Sequence, residues 1–305
     1  MKSKRSEIVR KVSKIPEVRY EDQGHSSLTS FAGLVIYQKL FQRLKLMSHL
    51  TVGLAHLAGS ATYGAACVFL WLIVHLLLGY RRLRERDFYA DDPLVQRLLG
   101  LTQLPDTSTI CRTLAKFDGQ AIENLRALLR QWVLDRLLAE EVSRVTLDFD
   151  GSVFSTGRHA EGTAIGFNKK KKGARSYYPL FCTVAQTGQF FDLYHRSGNV
   201  HDSNGSLDFI LDCVSQVRQA LPQAKLESRI DSAFFDEERL VQMHLADVDF
   251  TVSVPFERFP HLKGQVEARR HWLRIDDIWS YFECDWKPDK WTFGFRVLIV
   301  RQKKK

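Results

Sequence analysis

The residue pattern predicts an α/β protein: a core with a mixed sheet, a helical domain before it and a β-rich segment after it. Three observations lead there. Residues 26–140 carry apolar side chains at three- and four-residue steps, the period of a helix. From Arg144 the period changes to two, and segments then follow in the order strand, hairpin, helix, strand, helix, strand. After Pro260 come short runs rich in tryptophan and β-branched residues, which read as strands. With 305 residues, 45% hydrophobic and 26% charged, the chain can bury a sizeable core and is not a disordered polymer.

Residues 1–25 form a charged lead-in without the apolar run of a secretory signal. Residues 26–140 form the helical domain, which opens with helical spacing through Ser30–Leu46. The stretch Leu46–Tyr80 has no Asp, Glu, Lys or Arg, yet its strongly apolar part, Ala65–Leu78, is only 14 residues long. A membrane span needs about 20 residues, so this reads as a helix buried within the domain, and no membrane partner is expected. Tyr80–Leu99 alternates charge and leucine with breaks. Asp118–Glu141 is the cleanest helix, with Ile122, Leu125, Leu128, Leu129, Trp132, Val133 and Leu137 on one face.

The core covers 141–260. Arg144–Asp150 alternates as a strand does. Tyr178–Ala185 and Gln189–His195 are strands joined at Gln186-Thr187-Gly188, a hairpin signal. Ser203–Ala220 is an amphipathic helix, Lys225–Asp231 a strand, Asp236–Ala246 a helix and Asp249–Val254 a strand. The remaining segment, 261–305, reads as an all-β addition through Trp272–Ile275, Trp279–Asp285 and Trp291–Val300.

Lys plus Arg number 44 against 35 Asp plus Glu, a formal charge of +9, which suits a polyanionic partner. The five cysteines, Cys67, Cys111, Cys182, Cys213 and Cys284, include no C-x-x-C pair. That excludes a disulfide framework and a zinc knuckle, and fits a reducing, cytoplasmic setting. Neither a P-loop, a dinucleotide fingerprint nor a nucleophile elbow is present.

Asp148 and Asp150 lie two apart on a strand, so both carboxylates share one face while Val145, Leu147 and Phe149 face a core. They are either solvated acids of an edge strand or ligands. Asp231 ends a second strand and is either the cap of the next helix or a site residue. Were the two strands neighbours and parallel, Asp150 and Asp231 would converge, and converging carboxylates are what magnesium or manganese needs for phosphoryl transfer. Lys169, Lys170, Lys171, Lys172 and Arg175 make a basic run that is either a solvated loop or a phosphate contact. Tyr177 and Tyr178 follow it and offer rings for base stacking. His201 reads as structural, with Asn199, Asp202 or Ser203 as a helix cap.

In order, Asp148-Phe149-Asp150-Gly151-Ser152, Tyr178-Pro179-Leu180, Ser197-Gly198-Asn199-Val200-His201 and Arg229-Ile230-Asp231-Ser232-Ala233-Phe234 resemble a bacterial insertion-sequence transposase of the DDE type. With Asp92-Pro93, Leu99-Gly100-Leu101 and Leu104 to Thr109 upstream, the chain is similar to the insertion sequence 1380 family. The resemblance implies a ribonuclease-H-like core with Asp150 and Asp231 as catalytic, metal-holding acids. Asp148 also matches an acidic position. It further implies magnesium, with manganese as substitute, double-stranded DNA (transposon ends and target) as partner, a homodimer, and a nucleoid-associated place in the bacterial cytoplasm. The implied reaction is phosphodiester hydrolysis followed by strand transfer. The third acid, a Glu on a helix beyond a β-rich insertion, is not found, since 261–305 reads as the start of that insertion and Glu283 falls in a strand. The resemblance therefore implies a chain truncated relative to the family, and the alternative function is a non-catalytic DNA-binding relic.

Overall fold

The computed structural model describes residues 28–57, 63–156, 160–166, 168, 171–200 and 204–303. The chain divides into two compact units, Met1–Leu128 and Leu129–Lys305, the division falling inside a long helix.

The first unit is helical: α1 (Leu34–Arg43), α2 (Leu46–Gly53), α3 (Ala65–Leu77), a 3-10 turn Leu83–Phe88, α4 (Pro93–Leu99), α5 (Thr107–Leu114) and the start of α6 (Gly119–Ala139). Helix α3 has Val68, Trp71 and Val74 fully buried, as a helix apolar all round must be. Its His75 is also buried, with Nδ1 2.6 Å from the Tyr89 hydroxyl, and burial lowers the imidazole pKa. Among the described residues no helix is long and apolar enough to cross a membrane. Asp92 caps α4 by accepting the Leu94 and Val95 amides, with Pro93 in the first turn and Gly100 closing it at φ 69°. Asp106 caps α5 through the Thr109 amide. Ile122, expected on the apolar face of α6, is instead exposed, and Ala121 fills the buried position.

The second unit is built on a five-stranded sheet of order β6-β5-β1-β7-β8, from β1 (Arg144–Gly151), β5 (Leu180–Val184), β6 (Gln189–Tyr194), β7 (Lys225–Ile230) and β8 (Asp249–Val252). β5 is antiparallel to both β1 and β6, whereas β7 runs parallel to β1 and β8 parallel to β7. That is the mixed sheet of the ribonuclease-H-like fold. One face is covered by the second half of α6, by α7 (Ser206–Ala220) and by α8 (Glu237–Leu245); Leu137, Val145, Leu147, Phe191, Ile210, Val217 and Leu240 share this core. Within it Arg130 of α6 donates to Asp192 of β6 at 2.7 Å. Helix α7 begins at Gly205, φ 66°, with no side-chain cap. The cap expected from Asn199, Asp202 or Ser203 is thus not Asn199, and His201, Asp202 and Ser203 lie outside the described residues.

Two smaller sheets were only partly foreseen. β2 (Phe154–Ser155), β3 (Ala164–Ile165) and β4 (Arg175–Tyr177) form one, in the order β2-β4-β3. These strands are two or three residues long, below what periodicity resolves. The other, β9 (Leu273–Arg274), β10 (Trp279–Trp286) and β11 (Phe295–Gln302), follows an unforeseen helix α9 (Pro260–Ala268), so the segment after Pro260 is not all-β. Pro260 sits at the first turn of that helix, the position a proline tolerates. Trp291 precedes β11 rather than opening it, and stacks on Phe235 with centroids 4.8 Å apart.

Candidate active site

The alternation that fills the core also builds the opposite face of the sheet. With Val145, Leu147 and Phe149 buried, β1 leaves Thr146, Asp148 and Asp150 on the other side. With Leu226, Ser228 and Ile230 buried, β7 leaves Glu227 and Arg229, and one step past its end Asp231. The parallel register sets Thr146 beside Glu227 and Asp148 beside Arg229. The ladder closes at Phe149 and Ile230, and Asp150 and Asp231 are the next residue of each chain segment at the carboxyl ends of these neighbouring strands; both are exposed. The condition for their convergence, neighbouring parallel strands, is met.

Asp231 combines both of its sequence readings. Its Oδ1 accepts the Ala233 amide at 2.8 Å and caps the 3-10 turn Ser232–Phe234, while the next helix takes its own cap from Asp236. Oδ2 has no hydrogen-bond partner among the described residues. Asp148 stands differently. Arg229 donates Nε to its Oδ1 and Nη2 to its Oδ2, the latter at 2.5 Å, so both oxygens are engaged. Glu227 accepts from Arg144 at 2.8 Å and from Thr146 and Thr251 at 3.1 Å each. Burial pushes its pKa up, but these donors outweigh burial and hold the carboxyl below its ordinary value.

The strand end is walled by Tyr178. A Cβ on Gly151 would fall 2.7 Å from the Tyr178 hydroxyl, so any side chain beside Asp150 would have to displace this ring. The Arg196 guanidinium lies 5.2 Å from the Tyr178 ring centroid, and its Nε donates to the Tyr178 carbonyl at 3.1 Å. Tyr177 donates its hydroxyl to the Glu161 carbonyl, with its ring centroid 4.7 Å from that of His195. Both rings are half-buried in these contacts. Gly166 and Gly198 meet backbone to backbone: a Cβ on Gly166 would lie 1.9 Å from the Gly198 oxygen. No spacing rule in the sequence signals that contact.

Lys171 and Lys172 are exposed just before β4, while Lys169 and Lys170 lie outside the described residues. Arg175 is half-buried; its Nε donates to Thr163 Oγ1 at 3.0 Å and Nη2 to the Thr163 carbonyl, tying β4 to the turn before β3. On the far side of Asp231, Phe235 packs among Phe259, Trp286, Trp291 and Phe295. Glu237 accepts the Thr292 hydroxyl at 2.6 Å, a second tie between the segment after Asp231 and the β10–β11 connection. Glu283 is paired with Arg296 through two bonds of 2.9 Å, which hold its carboxyl below the ordinary range.

Among the described residues no group of three or more His, Cys, Asp or Glu side chains is arranged to hold a metal ion. The donor chemistry of Asp150 and Asp231 nevertheless fits magnesium or manganese. Such cations are held by one or two carboxylates, with water and substrate phosphate completing the shell, and hard oxygen donors do not select zinc.

The family described as Transposase DDE domain group 1 matches residues 10–304. No curated protein matches the chain. Among solved structures, a piggyBac transposase synaptic complex with hairpin DNA aligns at TM-score 0.41 and 10% identity, over 88% of this chain and 60% of that one. A Mos1 transposase paired-end complex with left transposon end aligns at TM-score 0.28 and 7% identity, over 69% and 66%. The Mos1 mariner paired end complex with Mn aligns at 0.26 and 9%, over 70% and 67%. The chain thus spans about 60% of the length of the piggyBac protein.

Proposed function

The chain belongs to the Transposase DDE domain group 1 family, and from that premise we propose that it binds transposon-end DNA and hydrolyses a phosphodiester there, with strand transfer to target DNA to follow. The observation that carries this reading is that Asp150 and Asp231 each follow directly on the last paired residues, Phe149 and Ile230, of the adjacent parallel strands β1 and β7. They would hold magnesium, or manganese in its place. When bound, such an ion neutralises phosphate charge and activates the attacking oxygen.

The residues themselves do the rest. The central strand sets where Asp150 sits in the sheet, and the Tyr178 ring lies against Gly151 next to it. The Ala233 amide fixes one oxygen of Asp231. Lys169 to Lys172 supply phosphate contacts, and Arg175 holds their hairpin through Thr163. Membership of the insertion sequence 1380 group, a homodimer, and a bacterial, nucleoid-associated cytoplasmic location belong to the same proposal.

The test is a gel-shift and a strand-nicking assay on element-end duplex with magnesium or manganese. Binding with nicking that Asp150→Asn and Asp231→Asn each abolish is the expected result. Binding with no nicking under either metal would instead identify a DNA-binding module.

A further inference from the structure

A sheet edge is kept from pairing with another chain by being short, by a bulge, or by lysine or proline. Most edges in the second unit have such a device. β8 is four residues long, β6 joins β5 with a register shift, and β2, β3 and β9 are two residues each. β11 has none. It pairs with β10 along Phe295–Gln302 without a register shift, and among the described residues no strand lies on its other side. It contains no proline or lysine, and its middle, Val297-Leu298-Ile299-Val300, is an unbroken apolar run. Val297 packs inward with Leu262 and Trp286, whereas Leu298 and Val300 face the other way and are 56% and 47% exposed. The register sets Leu273 beside Tyr281 and Tyr281 beside Val300, so an apolar row crosses all three strands on the outer face and stops at the open edge.

We propose that this edge takes a second copy of itself: two β11 strands pair antiparallel about a two-fold axis through Ile299 and make one continuous sheet from two. Residues opposed across such an axis share a face, so their positions differ by an even number. Arg296 and Arg301 differ by an odd number and cannot oppose each other. The axis sets Arg296 against the partner's Gln302 and Leu298 against the partner's Val300, so no like charges meet and the apolar row continues from one copy into the next. This rests on the homodimer of the proposed function and gives it an interface.

The experiment follows the full chain by sedimentation velocity over a concentration series, with circular dichroism to check folding. Leu298→Lys with Val300→Lys sets like charges opposite each other twice across the axis and should weaken the dimer at least about tenfold. Both side chains are exposed, so the fold should hold. Leu298→Glu with Val300→Lys sets opposite charges there and should bring the dimer to within about threefold of native. In the native chain, amide exchange over 295–302 should slow as the dimer forms. A native chain that stays monomeric throughout would overturn the homodimer and this interface with it. A native dimer indifferent to Leu298→Lys with Val300→Lys, or one that leaves exchange over 295–302 unchanged, would overturn the interface alone and leave the homodimer standing. A charge-exchanged variant as weak as the two-lysine one would overturn the axis through Ile299.

Discussion

Removing the guanidinium of Arg130 should destabilise the second unit by about 4 kcal/mol, with charge centres about 4 Å apart at an effective dielectric of 20. Asp192 is fully buried and the Arg130 side chain is 8% exposed, with Nη1 and Oδ2 2.7 Å apart. Neither charge has bulk water to fall back on. Removal of one member of a buried pair typically costs about 3–5 kcal/mol, because the other charge is stranded. Arg130→Met keeps much of the aliphatic stem and isolates the charge effect. For a unit of this size the loss corresponds to a melting-point drop of about 8–16 °C. Urea unfolding would compare the native chain, Arg130→Met, Asp192→Leu and the double variant. The double variant should recover part of the loss, since neither member of the pair is left buried. A loss below about 1 kcal/mol in Arg130→Met, or a double variant equal to the sum of the singles, would refute the argument.

Other outcomes are as specific. Gly198→Ala places a Cβ 2.5 Å from the Ser176 carbonyl oxygen; it should cost at least about 3 kcal/mol, the upper end for overpacking, measured by the same unfolding curves. Phe235→Ala should cost about 3 kcal/mol and speed limited proteolysis within 255–303, because its ring joins that segment to the turn after Asp231. Glu227 has its pKa held below the ordinary 4.5 in the folded chain. Its cluster therefore stabilises fully above that pH and loses the contribution as pH falls through the lowered value. Glu227→Gln should flatten the pH dependence of the melting temperature below about pH 4.5, a slope that differential scanning calorimetry reads. Replacing Lys171 and Lys172 with Gln should lower the slope of log affinity against log salt for duplex DNA by about 0.9 for each phosphate that is no longer neutralised.

What could be read from the sequence follows the length of the periodic signal. Seven alternating residues, Arg144–Asp150, predict β1, and the buried row Val145, Leu147 and Phe149 lies where the alternation puts it. Asp150 and Asp231 were legible because each ends a strand at the position where period two turns acids away from a core. Their adjacency was not, since no residue in either strand encodes that β7 lies beside β1; the crossover through α7 decides it. The pairing of Asp148 was illegible for a related reason. Its partner Arg229 is 81 residues away and is matched by register, not by motif. The short strands β2, β3 and β4 escaped because two or three residues carry no period. Ile122 was misplaced because a helix face reads only to within one residue of its neighbours, and Ala121 fits the buried slot in its stead.

The central place of β1 has a consequence during synthesis. Its antiparallel neighbour β5 follows within the next few dozen residues, whereas its other neighbour, β7, arrives 81 residues after it. At roughly 5–20 residues per second, one flank of the nascent strand waits about 4–16 s for its partner. Through that interval the strand presents an open ladder of amides and carbonyls. Two like charges on it, at Asp148 and Asp150, discourage docking of a foreign strand on the ribosome. Arg229 and the rest of β7 then close that flank, and Asp148 exchanges its role as a guard of the unfinished sheet for a partner within the finished one.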